Sequence, residues 1–316
     1  MTLFGLDTQI ASLQAAIARG RVHHAWLLAG PRGIGKASFA DFAARLLLEA
    51  SDPDSAGGKL VNAGSHPDFK RLERLANEKT GAIARSITVD QVRDLRGLFA
   101  TGTAISKRRV VVIDSIDDME RSGANALLKN LEEPPANTVF LLVSHQPGRL
   151  LPTIRSRCRT LLFNRLDDVV MASILDRELP DVDSETRRQL IARANGVPAN
   201  ALSYATLDIM AIDAALDEIA RSGDPTNAVR SKLAQSLSTK NAAPQYEAFL
   251  ARAPAFVAEH ARLSGYARLP AALVAWEQTR ALSQIAISQS LIAETVVFEI
   301  AGYIASLAPA RAPAKA

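Results

Sequence analysis

Cysteine is almost absent from this sequence, which has a single one, Cys158, among its 316 residues. One thiol cannot form an internal disulfide framework, nor can it supply the thiolates of a cysteine-rich zinc site. No apolar run approaches the roughly 20 residues needed to cross a bilayer. The first residues, MTLFGLDTQIASLQ, contain no basic stretch that leads into an apolar segment, as a signal peptide would. We therefore expect a cytoplasmic protein without membrane contact.

The sequence also has little excess of charge of either sign, because the formal net charge is only +4. A slight positive charge permits contact with nucleic acid but does not argue for it, since such proteins usually carry a clustered basic face. Hydrophobic residues make up 48% and aromatic residues 5%, which is ordinary for a helix-rich globular protein. The length is sufficient for two or three domains, each with its own core.

Four short apolar runs in the first half of the chain predict buried strands, at residues 24–29, 110–113, 138–143 and 160–163. Helical patterns separate these runs, which is typical of a parallel sheet covered on both faces. Thr88 and Gln91 have the spacing of a capping box and predict a helix that continues through Leu95 and Phe99. Between residues 51 and 86 the pattern weakens, and turn-forming residues predict a surface excursion.

Changes in hydrophobic periodicity and composition along the sequence predict four regions. Residues 1–165 form an α/β core domain with a parallel sheet, and residues 166–222 form a small helical domain, since their periodicity is purely helical. Residues 223–307 form an all-helical C-terminal domain after the linker-like Ser222–Pro225. Residues 308–316 are low in complexity and predict a disordered tail.

A glycine-rich loop follows the first predicted strand and opens a helix, which is the context in which a phosphate-binding P-loop is expected. Such a loop turns its backbone N–H groups and the helix N-terminus toward phosphate oxygens. The lysine would place its ammonium on the outer phosphates. The candidate nucleotide-binding residues are Gly30, Pro31, Arg32, Gly33, Ile34, Gly35, Lys36, Ala37 and Ser38, together with Asp114 at the end of the second apolar run.

Several groups that hydrolysis requires are missing from this pattern. Ala37 stands where a P-loop has the serine or threonine that ligates magnesium, and Ser38 is rotated roughly 100° further around the helix. Ser115 follows Asp114, at the position where hydrolysing enzymes of this class have a glutamate. Without a carboxylate there, no strong base polarises the attacking water, and general-base catalysis contributes about 10²–10⁴ in rate. Asp117 and Asp118 are expected to cap the helix that begins near residue 119 rather than act as a displaced base.

Two further motifs complete a resemblance to the clamp-loader branch of the AAA+ superfamily. They are the run 125–135, Asn-Ala-Leu-Leu-Lys-Asn-Leu-Glu-Glu-Pro-Pro, and the triplet Ser156-Arg157-Cys158. Together with His66-Pro67-Asp68, they resemble the delta-prime subunits of bacterial DNA polymerase III more than the gamma/tau motor subunits. The resemblance covers residues 1 to about 205. It implies an AAA+ P-loop domain, a helical lid and a helical collar.

The resemblance implies a role as well as a fold. Clamp loaders are five-subunit rings whose ATP sites lie between subunits, so Arg157 would be an arginine finger given in trans to a motor subunit. Ala199 stands where the motor has an arginine that senses the γ-phosphate, and Ser144 could be the polar sensor of the third strand. The implied partners are gamma/tau-like and delta subunits in a heteropentamer, the sliding clamp and, through the assembly, primer-template DNA.

The expected cofactor chemistry is sparse. ATP or ADP could occupy the P-loop, but no cofactor is required. Many members of the family carry a four-cysteine zinc module before His66, and the absence of cysteine there predicts no zinc and no other metal. Two alternatives stay open at this point: a weak ATPase that uses Asp117 or Asp118 as its base, and a homo-oligomeric AAA+ switch or helicase-like protein.

Overall fold

The computed structural model describes residues 3–76, 83–100, 102–207, 209–239, 241–263, 269–287 and 289–309. The chain forms two compact units, one made of Met1–Arg177 with Gly196–Pro198, and the other of Glu178–Asn195 with Ala199–Ala316. The division of the helical part near residue 222 stays a prediction. The predicted disordered tail lies outside the described residues from position 310 onward.

Five parallel strands form one sheet in the first unit, in the order β2-β3-β4-β1-β5. The strands are β1 Ala25–Ala29, β2 Phe69–Glu73, β3 Arg109–Asp114, β4 Thr138–Ser144 and β5 Arg159–Leu162. Four of them coincide with the predicted apolar runs, and the predicted parallel sheet is confirmed. The strand β2 was not expected, because its sequence Phe-Lys-Arg-Leu-Glu carries charges at the open edge of the sheet. The predicted surface excursion was therefore wrong at residues 69–73.

Helices cover both faces of this sheet. They are α1 Asp7–Ala18, α2 Lys36–Leu47, α3 Ala56–Asn62, α4 Val89–Arg93, α5 Leu95–Phe99, α6 Arg121–Glu132 and α7 Pro152–Arg155, and a further helix, α8 Asp168–Glu178, follows β5 along the chain. Successive strand residues point to opposite faces, so Trp26 and Leu28 join Phe39 of α2 in one core. Leu27 joins Leu127 of α6 in the other. The sheet is thus buried on both sides, as its continuous apolar strands indicate.

The helix starts confirm one capping prediction and overturn another. Thr88 and Gln91 form the expected capping box at the start of α4, although the predicted helix divides into α4 and α5. Asp117 and Asp118 lie in a single 3-10 turn, Ile116–Asp118, and α6 begins only at Arg121 without a side-chain cap. The predicted capping role of the two aspartates was wrong, because the chain makes this extra turn before the helix starts.

Among the described residues of the second unit, all regular elements are helices. Its helices are α9 Ser184–Ala194, α10 Pro198–Thr206, α11 Ile209–Ser222, α12 Ala228–Leu237, α13 Ala243–Leu263, α14 Leu269–Ala286 and α15 Ala293–Ala305. The helix α15 packs against α11, α12 and α14, and Val297, Ile300 and Ile304 are fully buried. Within the described part of the chain, no helix is both long and apolar enough to cross a bilayer.

Candidate nucleotide site

The glycine-rich loop joins the end of β1 to the start of α2, as expected for a P-loop. Gly33 and Gly35 have φ angles of 81° and 102°, which side chains rarely adopt, and Gly35 is the residue that precedes α2. A Cβ atom on Gly30 would lie 2.3 Å from the carbonyl oxygen of Phe163, just after β5. Packing alone therefore requires glycine at position 30. Ile34 is buried and anchors the loop to the core that α2 shares.

Lys36, the first residue of α2, is turned onto its own loop. Its Nζ donates hydrogen bonds to the carbonyl oxygens of Gly30, at 2.7 Å, and Pro31, at 2.6 Å. The side chain is almost fully buried. Burial lowers the pKa of Lys36 to about 8, although the carboxylates of Asp117 and Asp114 act in the opposite direction. Two of the three N–H donors of the ammonium are thus engaged by the loop's own carbonyl oxygens, so a bound phosphate would accept from the third or displace one of these oxygens.

Asp114 ends β3 at the same edge of the sheet, but its carboxylate already has a cationic partner. Arg71 of the unexpected strand β2 donates from Nη2 to Oδ2 of Asp114 at 2.7 Å. Ala37 offers no hydroxyl from the first turn of α2. The two groups that hold magnesium in a working P-loop are the hydroxyl at this position and the aspartate after the strand. One is absent and the other is engaged, so the residues present do not fit a magnesium ion.

The carboxylates that could replace the missing base are bound to other groups. Asp117 accepts hydrogen bonds from the Ser144 hydroxyl at 2.9 Å and from the backbone N–H groups of His145 and Gln146. Ser144, the polar-sensor candidate at the end of β4, is therefore held by Asp117. These four residues meet at the carboxyl-terminal edge of the sheet, beside the P-loop. Asp117 thus fixes the chain after β4 instead of standing free to accept a proton from water.

Ser115 and Asp118, which follow β3, contact each other. Ser115 donates from its hydroxyl to Oδ2 of Asp118 at 3.2 Å. The same carboxylate oxygen lies 3.5 Å from Nε of Arg74. The Ser115 hydroxyl and the Asp118 carboxylate are therefore both bound to neighbouring side chains.

Arg157 lies away from this edge. It follows α7 and stands two residues before β5 begins, whereas Glu132 ends α6 six residues before β4 begins. Parallel strands start at the same edge of a sheet, so both residues lie at the amino-terminal edge, opposite the P-loop. The Arg157 guanidinium pairs with Glu132 at 2.8 Å and donates to the carbonyl oxygen of Thr153 at 3.0 Å. Its side chain is 34% exposed, so it is accessible at the surface.

The remaining motif residues have surroundings that favour a role in the fold. Burial raises the pKa of the Cys158 thiol to about 12, so the thiol stays protonated and unreactive. Asp68 is fully buried and accepts backbone N–H groups from Ala104, Ile105 and Ser106 at 2.7–2.9 Å. The His66-Pro67-Asp68 motif thus anchors the segment that leads into β3. Ala199 is exposed in α10 of the second unit and offers no polar group.

Sequence reasoning missed two residues at the candidate nucleotide site. Arg71 belongs to the strand that was not predicted, and only the charge alternation of Arg71 and Glu73 along that strand could have indicated it. His145 directly follows Ser144. Burial, reinforced by the nearby ammonium of Lys36, lowers its pKa to about 4. His145 is therefore neutral at pH 7 and adds no positive charge to the loop.

A model of the family described as DNA polymerase III, delta subunit, matches residues 5–167. The chain belongs to this family. The expected resemblance to delta-prime clamp-loader subunits is confirmed, and together with the parallel sheet it confirms the AAA+ P-loop fold class.

Curated relatives agree with this assignment. The chain is 42% identical to the DNA polymerase III subunit delta' of Pseudomonas aeruginosa over 189 residues, which cover 58% of the chain and 56% of that protein. It is 36% identical to the delta' subunit of Escherichia coli over 160 residues, 49% of the chain and 46% of that protein. With the gamma/tau subunit of Mycobacterium tuberculosis the identity is 32% over 211 residues, 63% of the chain and 35% of that protein. The chain thus spans about half the length of the delta' relatives it matches.

Proposed function

We propose that this chain is a non-hydrolysing clamp-loader subunit of DNA polymerase III. It would help to load the sliding clamp onto primed DNA and give Arg157 in trans to the ATP site of a neighbouring motor subunit. The observation that carries this proposal is a contrast within the first unit. Some of the groups that hydrolysis requires are missing from the chain's own P-loop region, and the others are bound to neighbouring side chains. A surface arginine of the clamp-loader motif, in contrast, lies at the opposite edge of the sheet.

The state of the P-loop supports the non-hydrolysing role. Ala37 provides no metal-binding hydroxyl, Asp114 is paired with Arg71, and Ser115 replaces the base partner. A weak ATPase that used Asp117 would have to withdraw its carboxylate from three hydrogen-bond donors. Since general-base catalysis requires an oxygen free to accept a proton from water, this alternative is disfavoured.

The position of Arg157 supports action on another subunit. Arg157 precedes β5 at the amino-terminal edge of the sheet, whereas the P-loop follows β1 at the carboxyl-terminal edge. The length of a strand therefore separates the two, and Arg157 cannot serve its own P-loop. Its partly exposed side chain is held by Glu132 and Thr153, which fixes the direction of the guanidinium at the surface. An arginine finger stabilises charge on the transferring phosphoryl group and is worth about 10³–10⁵ in kcat.

The partners belong to the same proposal. We propose a heteropentamer with gamma/tau-like and delta subunits, which contacts the sliding clamp and primer-template DNA in the cytoplasm. ATP or ADP would be a structural ligand of the P-loop, without a required cofactor and without zinc. Among the described residues, no group of three or more histidine, cysteine, aspartate or glutamate side chains is arranged to hold a metal.

The test is a reconstituted ring in which DNA- and clamp-stimulated ATP turnover is measured with the Arg157→Ala chain. We expect the ring to assemble normally and the motor site next to this subunit to lose about 10³-fold or more of its turnover, because that site lacks its transition-state cation. The matched control is Arg155→Ala, which removes an exposed arginine two residues away that donates to the carbonyl oxygen of Pro147.

Two outcomes would contradict the proposal. Equal turnover in the Arg157→Ala and wild-type rings would remove the role of Arg157. Turnover by the purified chain alone at a motor-like rate, abolished by Lys36→Ala, would show that the chain hydrolyses ATP itself.

A further inference from the structure

A working P-loop uses its magnesium ion as a bridge between two elements. The ion joins the hydroxyl in the first turn of the helix to the aspartate at the end of another strand of the sheet. In this chain Ala37 cannot make the helix side of that bridge. The helix nevertheless carries a carboxylate, Asp41, four residues further on. Residues four apart lie on the same face of a helix, so Asp41 extends from the same face of α2 as Ala37.

The Arg71 guanidinium makes a corresponding bridge between α2 and β3. Its Nη1 donates to Asp41 of α2 at 2.5 Å and its Nη2 donates to Asp114 of β3 at 2.7 Å. Its Nε donates to Glu73 on the same strand at 3.0 Å. The guanidinium has a rigid fork of donors and carries a permanent charge. It therefore joins the same helix and strand that a metal would join, and it engages the Asp114 carboxylate that a metal would use.

Strand register explains why Arg71 reaches this position. Arg71 is paired with Val112 and Glu73 with Asp114, in neighbouring strands β2 and β3. Val112 faces the core that α2 shares, so Arg71 and Glu73 extend toward the same side of the sheet as α2. Desolvation alone would lower the pKa of Arg71, but Asp41 and Asp114 raise it, and the side chain stays charged.

We propose that the Arg71 guanidinium replaces the divalent cation of this P-loop, so that the chain binds no metal through Asp114 and any nucleotide binding is independent of magnesium. The proposal concerns the chain's own pocket and does not rest on the role of Arg157. It assigns Arg71 as a positioning residue that fixes Asp114 and Asp41 while the backbone of the loop remains available to phosphate.

The test uses the full chain and Mn²⁺, alone and with ATP, with bound metal measured by electron paramagnetic resonance. In the wild type, Asp114→Asn is expected to leave Mn²⁺ binding unchanged. In Arg71→Gln the freed carboxylates should bind Mn²⁺ at least about ten-fold more tightly, since carboxylates suit this ion. Adding Asp114→Asn to that variant should remove the gain.

The matched control is Arg74→Gln, which removes the same charge three residues away but contacts Asp118 rather than Asp114. It should give no gain. If Arg71→Gln does not fold, Arg71→Lys is used, since a single ammonium cannot span Asp41 and Asp114 in the same way; a smaller gain that depends on Asp114 is expected. The proposal is overturned if Asp114→Asn weakens Mn²⁺ binding in the wild type, or if no Arg71 variant gains an Asp114-dependent site.

Discussion

At the scale of single residues, the P-loop glycines serve different purposes. Gly33 and Gly35 take backbone angles that favour glycine, which agrees with their expected role in turning the loop. Gly30 is different, because a Cβ atom there would overlap the carbonyl oxygen of Phe163 at 2.3 Å. The close approach of the two backbone segments would require glycine at position 30 even if the chain never bound phosphate. A retained P-loop sequence is therefore not by itself proof of a retained ligand.

This packing role predicts that Gly30→Ala destabilises the first unit without any nucleotide present. Overpacking of this kind costs about 1–3 kcal/mol. The measurement is urea unfolding of the nucleotide-free chain. The control is Gly97→Ala in α5, where an added Cβ meets nothing within 4 Å. Alanine there should be neutral or stabilise by up to about 1 kcal/mol. Equal stability of Gly30→Ala and wild type would show that the loop needs glycine at this position only for phosphate.

At the scale of elements, the carboxylate of Asp68 joins two segments. Asp68 immediately precedes β2, and the three N–H groups that it accepts belong to residues 104–106, just before β3. His66, two residues before Asp68, is also buried, and its Nδ1 accepts the N–H of Asp68 at 3.1 Å. The motif that served as a family marker in the sequence thus holds the starts of two neighbouring strands together.

We predict that Asp68→Asn destabilises the fold by about 2–3 kcal/mol, because hydrogen bonds to a charged group are lost and an amide has one acceptor oxygen in place of two. Burial would raise the pKa of Asp68, but its three N–H donors and His66 lower it overall. The carboxylate therefore contributes stability above the ordinary aspartate pKa near 4, and the contribution is lost as pH falls through the lowered folded-state pKa.

Urea unfolding from pH 7 down to pH 2 measures this prediction. The wild type should lose its advantage over Asp68→Asn at the acid end. The control is Asp90→Asn, which removes an exposed carboxylate paired with Arg93 and should change stability by less than about 0.5 kcal/mol. A constant difference between Asp68→Asn and wild type over the whole pH range would contradict the role of the charge.

The same elements show where the sequence could predict the fold and where it could not. Continuous apolar runs located β1, β3 and β4, since strands buried on both faces have no polar side. The strand β5 lies at an edge and is mostly exposed, yet its apolar residues still indicated it. The strand β2, at the other edge, was missed because three of its five residues are charged, and Arg71 was missed with it. The order of strands decides that β2 lies beside β3, and no local pattern encodes that neighbour. The contact of Arg71 with Asp114 could therefore not be found from spacing along the chain.

At the scale of the whole molecule, two units carry separate cores and separate ionic clusters. In the second unit Asp213 is buried and accepts from Arg193 at 2.7 Å and Arg252 at 2.8 Å. Arg252 is itself 4% exposed and also binds Glu259. This cluster joins α9, α11 and α13. Buried charges of this kind are tolerated only when they are paired, so the cluster makes the folding of three helices interdependent.

We predict that Asp213→Asn costs up to about 3–5 kcal/mol, because it removes the buried carboxylate that Arg193 and Arg252 share and leaves Arg252 with Glu259 as its remaining carboxylate. Amide hydrogen exchange locates the effect: protection should fall in α9, α11 and α13, while β1, β3 and β4 keep theirs. The control is Glu185→Gln, which breaks an exposed pair with Arg188 on α9 and should change protection little. An equal loss of protection in the strands would mean that the two units unfold together, and the separate cores would then not be separate cooperative units.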